Sequence, residues 1–395
     1  MTGAAGYIGS HVCEALLRRG DAVVGIDAFT PHYDPARKRA NLAAVEATSR
    51  ALASEPGGAA SKGWEAGAFR FVEGDVRRAG DLEAAFAAGA ELAGGRPVRR
   101  VLHLAARAGV RGPLADSPEY VSLNVDGTTE VLEACRRHGM GSEHRAPDGA
   151  RPGAQWRGGT AARPLERSRP TDAVDGDEPV GHVVLASSSS VYGSGPAGWE
   201  GPFSEDLAAD RPLSVYAATK RACEVLAHAY CRLAGLRVTC LRFFTVVGPR
   251  ARPDLTPFAF TDAIWRGRPI RKFGDGTSAR DYTYVGDTVS GVLAALDRFE
   301  LAAAGAVQPG ESYECINLGS DRPVTLNAYL DTLERLLGRR AIVEQVPEQP
   351  TDPRRTWADL RKARRLLGYA PRVSFERALE SCVEWYLREV AGIAR

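Results

Sequence analysis

The sequence lacks the features that would place it in several common protein classes. None of its seven cysteines forms a C-x-x-C pair, and no apolar run approaches the roughly 20 residues of a membrane helix. Neither charge sign dominates, since 51 Lys and Arg balance 49 Asp and Glu. We therefore expect a soluble cytoplasmic protein with reduced thiols and no metal site. Its expected partner is a small molecule rather than nucleic acid or a membrane.

What the sequence does contain is an alternation of short β-branched runs with amphipathic segments. This alternation predicts βαβ crossovers and a doubly wound α/β fold, with a parallel sheet covered by helices on both faces. The predicted strands are 22–26, 69–72, 100–104, 183–187 and 237–242, and the predicted helices are 9–19, 79–88, 121–138 and 215–234. Such sheets bind their ligands beyond the carboxyl ends of the strands, so functional residues are expected there.

The chain opens with a G-x-x-G-x-x-G motif at Gly3, Gly6 and Gly9, which runs directly into a predicted helix. Glycines let the backbone approach a pyrophosphate, and the helix N-terminus offers it free N–H groups. A plain glycine-rich turn is the alternative interpretation. Asp27 favours a dinucleotide, because it ends the next strand where a carboxylate can accept hydrogen bonds from the adenosine ribose. That carboxylate repels a 2′-phosphate, so NAD is favoured over NADP, and the basic residues 37–39 are interpreted as a solvated helix face.

One strand is expected to be missing, since only Met1 and Thr2 precede Gly3. The strand that feeds the glycine turn normally lies at the centre of the sheet, so its absence should leave backbone groups unpaired. We hypothesise that the start was misassigned within this strand. An in-frame upstream sequence that encodes a short β-branched run would support the hypothesis.

Tyr216 and Lys220 lie four residues apart at the start of a predicted helix, so their side chains share one face. The ammonium and a positive nicotinamide ring could lower the pKa of the phenol by the about 2 to 3 units that a base near neutral pH needs. Most Y-x-x-x-K sequences are solvated helix pairs. Here the pair follows a strand that ends in four serines, 187–190, and the glycine turn and Asp27 precede it in order, which argues against coincidence.

On these motifs the sequence resembles extended short-chain dehydrogenases/reductases of the NAD-dependent epimerase/dehydratase family, over nearly its whole length apart from two insertions. Within that family it most resembles UDP-glucuronate 4-epimerases. The segments that carry the similarity are YIGSH from Tyr7, HLAARAGVR from His103, NVDGT from Asn124, SSSSVYG from Ser187, LRFFTVVGPRARPD from Leu241, ARDYTYVGD from Ala279 and TWADLRKARRLLGY from Thr356. The resemblance implies NAD as cofactor, a UDP-sugar as substrate and a homodimer formed through the helices at Val121 and Tyr216.

The resemblance also implies the catalytic roles. Tyr216 would remove the proton from the sugar 4-hydroxyl while hydride leaves C4 for the nicotinamide, Ser188 would hold the oxygen, and Lys220 would bind the nicotinamide ribose. The 4-keto sugar would then turn over and be reduced on its other face. The expected cofactor-binding residues are Gly3, Gly6, Tyr7, Ile8, Gly9, Asp27, Asp75, Val76, Leu104, Ala105, Ala106, Asn124, Tyr216, Lys220 and Phe243. The expected substrate-binding residues are Gly109, Val110, Arg111, Ser188, Ser189, Thr245, Arg252, Phe273, Arg280 and Asp352.

A few of these positions are expected to select the reaction. Dehydratases of the family need an acid and a base after the active-site hydroxyl, but Ser189 and Ser190 occupy those places, which disfavours elimination. Arg252, with Thr245 nearby, resembles the pair that grips the carboxylate of glucuronate, although an ordinary surface arginine is the alternative. A 4-keto glucuronate is a β-keto acid, so a rigid clamp on its carboxylate would prevent loss of CO₂. Arg280 resembles the residue that faces the diphosphate.

The resemblance and the patterning together predict a Rossmann-type doubly wound sheet with a smaller α/β lobe at the C-terminus. Residues 1–248, rejoined by 285–300, would form the NAD-binding domain, with inserted loops at about 48–67 and 141–181. Residues 249–284 and 311–395 would form the nucleotide-sugar-binding lobe. The predicted reaction is the interconversion of UDP-glucuronate and UDP-galacturonate. A UDP-glucose 4-epimerase, a UDP-glucuronate decarboxylase and a non-catalytic nucleotide-binding homologue remain open.

Overall fold

The computed structural model describes residues 1–54, 67–141, 181–349 and 352–393. The strands are β1 (Val23–Asp27), β2 (Phe69–Glu73), β3 (Arg100–His103), β4 (His182–Ser188), β5 (Arg237–Phe243), β6 (Thr245–Val247), β7 (Pro269–Phe273), β8 (Ala279–Tyr284), β9 (Tyr313–Leu318), β10 (Pro323–Thr325) and β11 (Ile342–Val346). The helices are α1 (Tyr7–Arg18), α2 (Pro35–Ala53), α3 (Ala79–Leu92), α4 (Ser117–Tyr120), α5 (Gly127–Arg137), α6 (Val215–Ala234), α7 (Thr256–Trp265), α8 (Val285–Leu296), α9 (Arg298–Ala303), α10 (Leu326–Leu337), α11 (Arg361–Leu367) and α12 (Phe375–Glu389). A π-helical turn, Val121–Asp126, joins α4 to α5.

The main sheet is parallel and consists of β2 and β1 on one side and β3, β4, β5 and β9 on the other. Apolar side chains of α1, α8 and α11 pack on one face, and those of α3, α5 and α6 pack on the other. The predicted doubly wound fold is therefore confirmed. The five predicted strands all form, and each end lies within one residue of the prediction.

Thr2 occupies the place of the expected first strand, between β1 and β3. It forms parallel bridges to Ile26 on one side and to His103 on the other. The Thr2 N–H donates to the Leu102 carbonyl at 2.9 Å, and the Ile26 N–H donates to the Met1 carbonyl at 2.9 Å. The two sides of the sheet are therefore joined at their carboxyl ends, directly before the glycine turn.

A second unit packs beyond the carboxyl edge of this sheet. It contains a three-stranded sheet in the order β10-β8-β6 and the parallel pair β11-β7. Helices α7, α10 and α12 bury a separate apolar core against these strands, which includes Ile270, Tyr329, Leu333 and Tyr386. This unit overlaps the predicted lobe, but three elements differ. Strand β6 lies in the predicted NAD-binding range yet pairs with β8, and α11 lies in the predicted lobe yet packs on the main sheet. Strand β9 lies in the segment 311–395 but pairs with β5 in the main sheet, because its residues are buried on both faces.

The two predicted insertions lie largely outside the described residues. The first, 48–67, begins within α2, which runs on to Ala53. At the second, the Gly181 N–H donates to the Met140 carbonyl at 3.0 Å, so the described residues on either side of the gap are in contact. Within the four described ranges, no helix combines the length and apolarity needed to cross a membrane.

Candidate active site

A cleft of about 780 Å³ lies at the carboxyl edge of the main sheet, between the sheet and the lobe. Most of the residues predicted to bind ligands line it. They are Gly3, Gly6, Tyr7, Ile8, Gly9, Asp27, Asp75, Val76, Leu104, Ala105, Ala106, Gly109, Val110, Arg111, Ser188, Ser189, Tyr216, Lys220, Phe243, Thr245, Arg252, Arg280 and Asp352. Asn124 and Phe273 are the two predicted residues that do not border this cleft.

The glycine turn is close-packed, which explains its composition. Gly3 has a φ of 71°, and a Cβ added to Gly9 would lie 2.0 Å from the Gly3 carbonyl oxygen. A side chain at either position would therefore distort the turn. Gly6 adopts an extended conformation directly before α1, with no side chain over the first N–H groups of the helix. Tyr7, Ile8 and Gly9 of this first turn line the cleft, so their N–H groups are available to donate to an anion.

Asp27 ends β1 and is buried, with 7% of its surface exposed. Its carboxylate accepts hydrogen bonds from the Ala5 N–H at 3.2 Å and the Phe29 N–H at 3.3 Å. It also forms an ion pair with Lys38, whose Nζ lies 2.8 Å from Oδ1. Lys38 is only 9% exposed, so the interpretation of residues 37–39 as a solvated face does not hold for this residue.

The helix that carries Lys38 explains why the sequence did not reveal this ion pair. Asp34 caps α2 by accepting from the Ala36 N–H at 2.9 Å, and Pro35 occupies the first turn. The first turn therefore directs Lys38 at Asp27, while Arg37 lies over the Phe258 ring at 4.3 Å. A spacing of eleven residues between a carboxylate and a lysine is no recognisable local motif. Only the helix start signal, Asp34-Pro35, could have indicated it.

Tyr216, Lys220 and Ser188 all line the cleft. Ser214 caps α6 by accepting from the Ala217 N–H at 3.2 Å, which fixes Tyr216 in the first turn. Lys220 is 4% exposed, and its ammonium donates to the Ala186 carbonyl at 2.8 Å. Ser188, at the end of β4, accepts from the Ser190 hydroxyl at 2.9 Å. A phenol, a buried ammonium and a hydroxyl therefore line one cleft, and these are the types of group that proton transfer from a sugar alcohol requires.

The lobe supplies a cationic wall opposite these residues. The Arg252 guanidinium is held by Asp254 in a bidentate pair, with Nε–Oδ1 at 3.0 Å and Nη2–Oδ2 at 2.8 Å. Thr245, at the start of β6, also lines the cleft. The Arg252 side chain is 18% exposed, which separates it from an ordinary surface arginine. Its position allows it to receive a ligand carboxylate.

Three more predicted substrate residues form an ion-pair cluster at the other end of the cleft. Arg111, from the loop after β3, lies 2.5 Å from the Asp352 carboxylate, and Arg280 lies 3.8 Å from it. The Arg111 guanidinium lies over the Phe273 ring, 4.8 Å from the centre of that ring. Burial lowers the pKa of Arg280 from its ordinary value. These cationic groups can face a diphosphate, while Asp352 can accept from hydroxyl groups.

Asn124 supports the cleft from behind, since it is 1% exposed. Its side-chain amide accepts from the Arg107 N–H at 2.8 Å and donates to the Arg107 carbonyl at 3.0 Å and to Thr219 at 2.9 Å. It therefore attaches the loop after β3 to α6. Arg107 itself lines the cleft, lies over the Tyr120 ring and pairs with Asp116. Arg107 belongs to the HLAARAGVR motif, but the sequence alone gave it no predicted role.

Comparisons with known proteins agree with this geometry. The profile described as "NAD dependent epimerase/dehydratase family" matches residues 1–310. The chain belongs to this family. A UDP-glucuronate 4-epimerase of Thermodesulfobacterium geofontis is 34% identical over 386 residues, which cover 98% of this chain and 94% of the relative.

Members of this epimerase/dehydratase family with solved structures share the fold over nearly the full length. The UDP-glucuronic acid 4-epimerase of Bacillus cereus, in complex with UDP-glucuronic acid and NAD, superimposes with a TM-score of 0.72 at 30% identity, over 98% of both chains. The UDP-glucose 4-epimerase of Thermus thermophilus, in complex with NAD, gives 0.70 at 25% identity, also over 98% of both. NAD is accordingly the cofactor, as the sequence predicts.

The described residues fit this cofactor. The glycine turn packs against backbone, since a Cβ at Gly3 would lie 2.8 Å from the Ala105 nitrogen, and its three glycines line the cleft where a pyrophosphate would meet the start of α1. Asp27 lies where the adenosine ribose would bind, and hydrogen bonds from Arg77 lower the pKa of Asp75 at the adenine side. Lys220 and Phe243 border the predicted nicotinamide end. All of the residues predicted to bind the cofactor except Asn124 therefore line the same cleft.

Proposed function

We propose that this chain is an NAD-dependent UDP-glucuronate 4-epimerase that interconverts UDP-glucuronate and UDP-galacturonate. The observation that carries the proposal is the arrangement of two walls around one space. Tyr216, Lys220 and Ser188 lie on the sheet side, and Arg252 and Thr245 lie on the lobe side. A sugar alcohol at the first wall would place a carboxylate on the same ring near the second. The T. geofontis and B. cereus proteins named for this activity support the substrate assignment.

In this proposal Tyr216 accepts the proton of the sugar 4-hydroxyl and returns it after the ring has turned over. The Lys220 ammonium, fixed by the Ala186 carbonyl, stabilises the phenolate, and Ser188 donates to the sugar oxygen. Bound NAD accepts hydride from C4 and gives it back on the other face. Arg252 holds the carboxylate in both orientations, and Asp254 fixes the guanidinium plane. Ser189 and Ser190 supply no acid–base pair for elimination.

The test is product analysis after incubation of the purified protein with UDP-glucuronate. We expect UDP-galacturonate to accumulate to an equilibrium mixture without net formation of NADH. Accumulation of UDP-xylose with CO₂ would instead identify a decarboxylase. Turnover of UDP-glucose with none of UDP-glucuronate would identify a neutral-sugar epimerase. No turnover, with NAD released on denaturation, would identify a binding protein.

The proposal includes a cytoplasmic homodimer. All seven cysteines are free thiols, which supports a reducing compartment. Three apolar side chains near the proposed dimer helices are exposed: Val121 by 45%, Val225 by 54% and Leu233 by 82%. Val225 and Leu233 lie eight residues apart on α6, so they share one face. Analytical ultracentrifugation of the wild type should give twice the mass of one chain. The double variant Val225→Asp, Leu233→Asp should sediment with the mass of a single chain.

A further inference from the structure

Glu224 is a buried carboxylate on α6 that no step of the proposed reaction uses. It lies one turn beyond Lys220 and two turns beyond Tyr216, and its side chain is 0% exposed. It accepts hydrogen bonds from Ser187 Oγ at 2.6 Å, from Arg242 Nε at 2.8 Å and Nη2 at 2.9 Å, and from Arg221 Nη1 at 2.9 Å. A carboxylate so far from water is tolerated only with such partners. These partners therefore hold the Glu224 carboxylate in one position.

The two buried partners of Glu224 are neighbours at the carboxyl edge of the main sheet. Ser187 of β4 and Arg242 of β5 are direct partners in the strand pairing. Each is followed at once by a residue of the cleft, Ser188 after Ser187 and Phe243 after Arg242. One carboxylate thus attaches the helix of Tyr216 to the two strand ends that carry Ser188 and Phe243.

A second attachment between α6 and β4 lies one turn away. Lys220 donates to the Ala186 carbonyl at 2.8 Å, so the consecutive residues Ala186 and Ser187 are bound to consecutive turns of α6. Two attachments fix both the height and the rotation of the helix against the strand. Proton transfer depends on sub-ångström placement of the phenol and the hydroxyl, which such attachments supply.

The charges in this cluster balance in pairs. Burial alone would raise the pKa of Glu224, but the hydrogen bonds and charge of Arg242 hold it below its ordinary value. The Arg242 side chain is 4% exposed, and its Nη1 has no hydrogen-bond partner among the described residues. Its guanidinium lies 4.7 Å from the centre of the Tyr192 ring. Without Glu224, the buried Arg242 would lose its ion-pair partner among the described residues.

We propose that Glu224, through its bonds to Ser187 and Arg242, is a positioning residue that sets the placement of Tyr216 and Lys220 against Ser188. This role rests on the proposed epimerase function. It predicts that loss of the carboxylate lowers turnover far more than it weakens the binding of substrate or NAD, because the other lining residues of the cleft, such as Arg252, Arg280 and the glycine turn, do not depend on Glu224. It also predicts an electrostatic effect, because one negative charge is removed from behind the catalytic pair.

The direction of that effect follows from the groups around the pair. Besides Glu224, the titratable or charged neighbours of Tyr216 and Lys220 are His103, Cys223 and Arg252, with Tyr120 adjacent. Burial lowers the pKa of His103 to about 3 and raises that of Cys223, so both are neutral near pH 7. The uncompensated charge of Arg242 would then favour the phenolate. The acid limb of the kcat profile should move to lower pH, by roughly half to one unit.

The experiment compares wild type with Glu224→Gln and with Glu314→Gln as a matched control. Glu314 is a buried carboxylate of the same sheet, paired with Lys362 at 2.7 Å on the edge strand β9. Glu224→Gln should lower kcat for UDP-glucuronate by roughly 10- to 100-fold, with KM and bound NAD within about twofold, and shift the acid limb. Glu314→Gln should lower the melting temperature but leave kcat and its pH profile unchanged.

Equal kcat losses in the two variants, or a loss without a pH shift, would overturn the proposal. Should Glu224→Gln fail to fold, Ser187→Ala removes one bond and leaves the ion pair with Arg242 intact. It should then lower kcat by about threefold at unchanged KM, and an unchanged kcat would refute the role. A wild type without epimerase turnover would overturn the proposed function and this role together. An active wild type with unaffected variants would overturn the role alone.

Discussion

The two walls of the cleft are built differently. On the cofactor side, Asp27 and Lys220 are less than 10% exposed and are bonded to backbone groups of their own unit. On the substrate side, the Arg111 side chain is 52% exposed and pairs across the cleft with Asp352. The polar groups of the cofactor side are therefore held in place before any ligand binds. On the substrate side, the charges of Arg111 and Asp352 neutralise each other until a ligand binds. This difference is consistent with the proposed epimerase, in which the cofactor is regenerated in each cycle while the substrate exchanges.

The largest expected effect tests whether a residue on the cofactor side can be changed so that catalysis is lost while NAD binding is kept. Tyr216→Phe removes the proton acceptor but keeps the ring that lies 6.3 Å from Tyr120. We expect kcat to fall by roughly 10³-fold, because no other described group of the cleft replaces the phenol. NAD content, measured by absorbance after denaturation, should equal that of wild type. A protein purified without NAD would show that the two functions of this wall are not separable.

The next effect concerns Arg252, whose guanidinium is held by Asp254 on the lobe side of the cleft. Arg252→Ala should lower kcat/KM for UDP-glucuronate by roughly 100-fold, because a carboxylate would lose a bidentate partner and face Asp254 alone. Any turnover of UDP-glucose should be unaffected and serves as the internal control. Release of CO₂ by the variant would show that the clamp also restrains decarboxylation. Equal losses with both sugars would refute a carboxylate-specific role.

A smaller effect concerns the choice between NAD and NADP. The carboxylate of Asp27 lies 2.8 Å from the Lys38 ammonium, so a cation already stands beside the expected ribose site. Asp27→Asn should remove the repulsion of a 2′-phosphate and leave Lys38 free to bind it. We expect the ratio of NAD to NADP in the purified protein, separated by chromatography, to fall by roughly 10-fold. Adding Lys38→Ala should abolish the gain in NADP, and an unchanged ratio would contradict this interpretation.

The same contrast explains what the sequence could predict. Strands, glycine turn and the Tyr216–Lys220 pair are encoded by local periodicity and spacing, so the fold, the family and the cofactor were predicted and are confirmed. Lys38 and Glu224 could not be assigned, because their partners come from other elements and depend on which helix face is buried. Asn124 was predicted to contact the cofactor, but it supports Arg107, a difference that only packing determines.

The domain division illustrates the same limit. β9 follows a helical segment and carries Tyr, Cys and Ile, a pattern that fits either unit. Its pairing with β5 depends on contacts between residues about 75 positions apart, such as Cys240 with Cys315. The expected gap at the first strand gives a second example. The sequence predicted unpaired backbone groups there, but Thr2 forms bridges to both β1 and β3. Pairing partners, unlike periodicity, are not readable from a local window.

The smallest expected effect tests whether the exposed ion pair of the substrate wall must rearrange when the nucleotide binds. Arg111→Ala leaves Asp352 with only the more distant Arg280, so its carboxylate would repel the diphosphate more strongly. We expect KM for UDP-glucuronate to rise by about threefold with kcat unchanged, and the rise to shrink at high salt, since exposed charges are screened. Arg271→Ala is the matched control, because Arg271 also lies over Phe273, at 5.5 Å, but does not pair with Asp352. If both variants raise KM equally, stacking on Phe273 rather than the ion pair controls binding, and the lobe wall would then be as fixed as the cofactor wall.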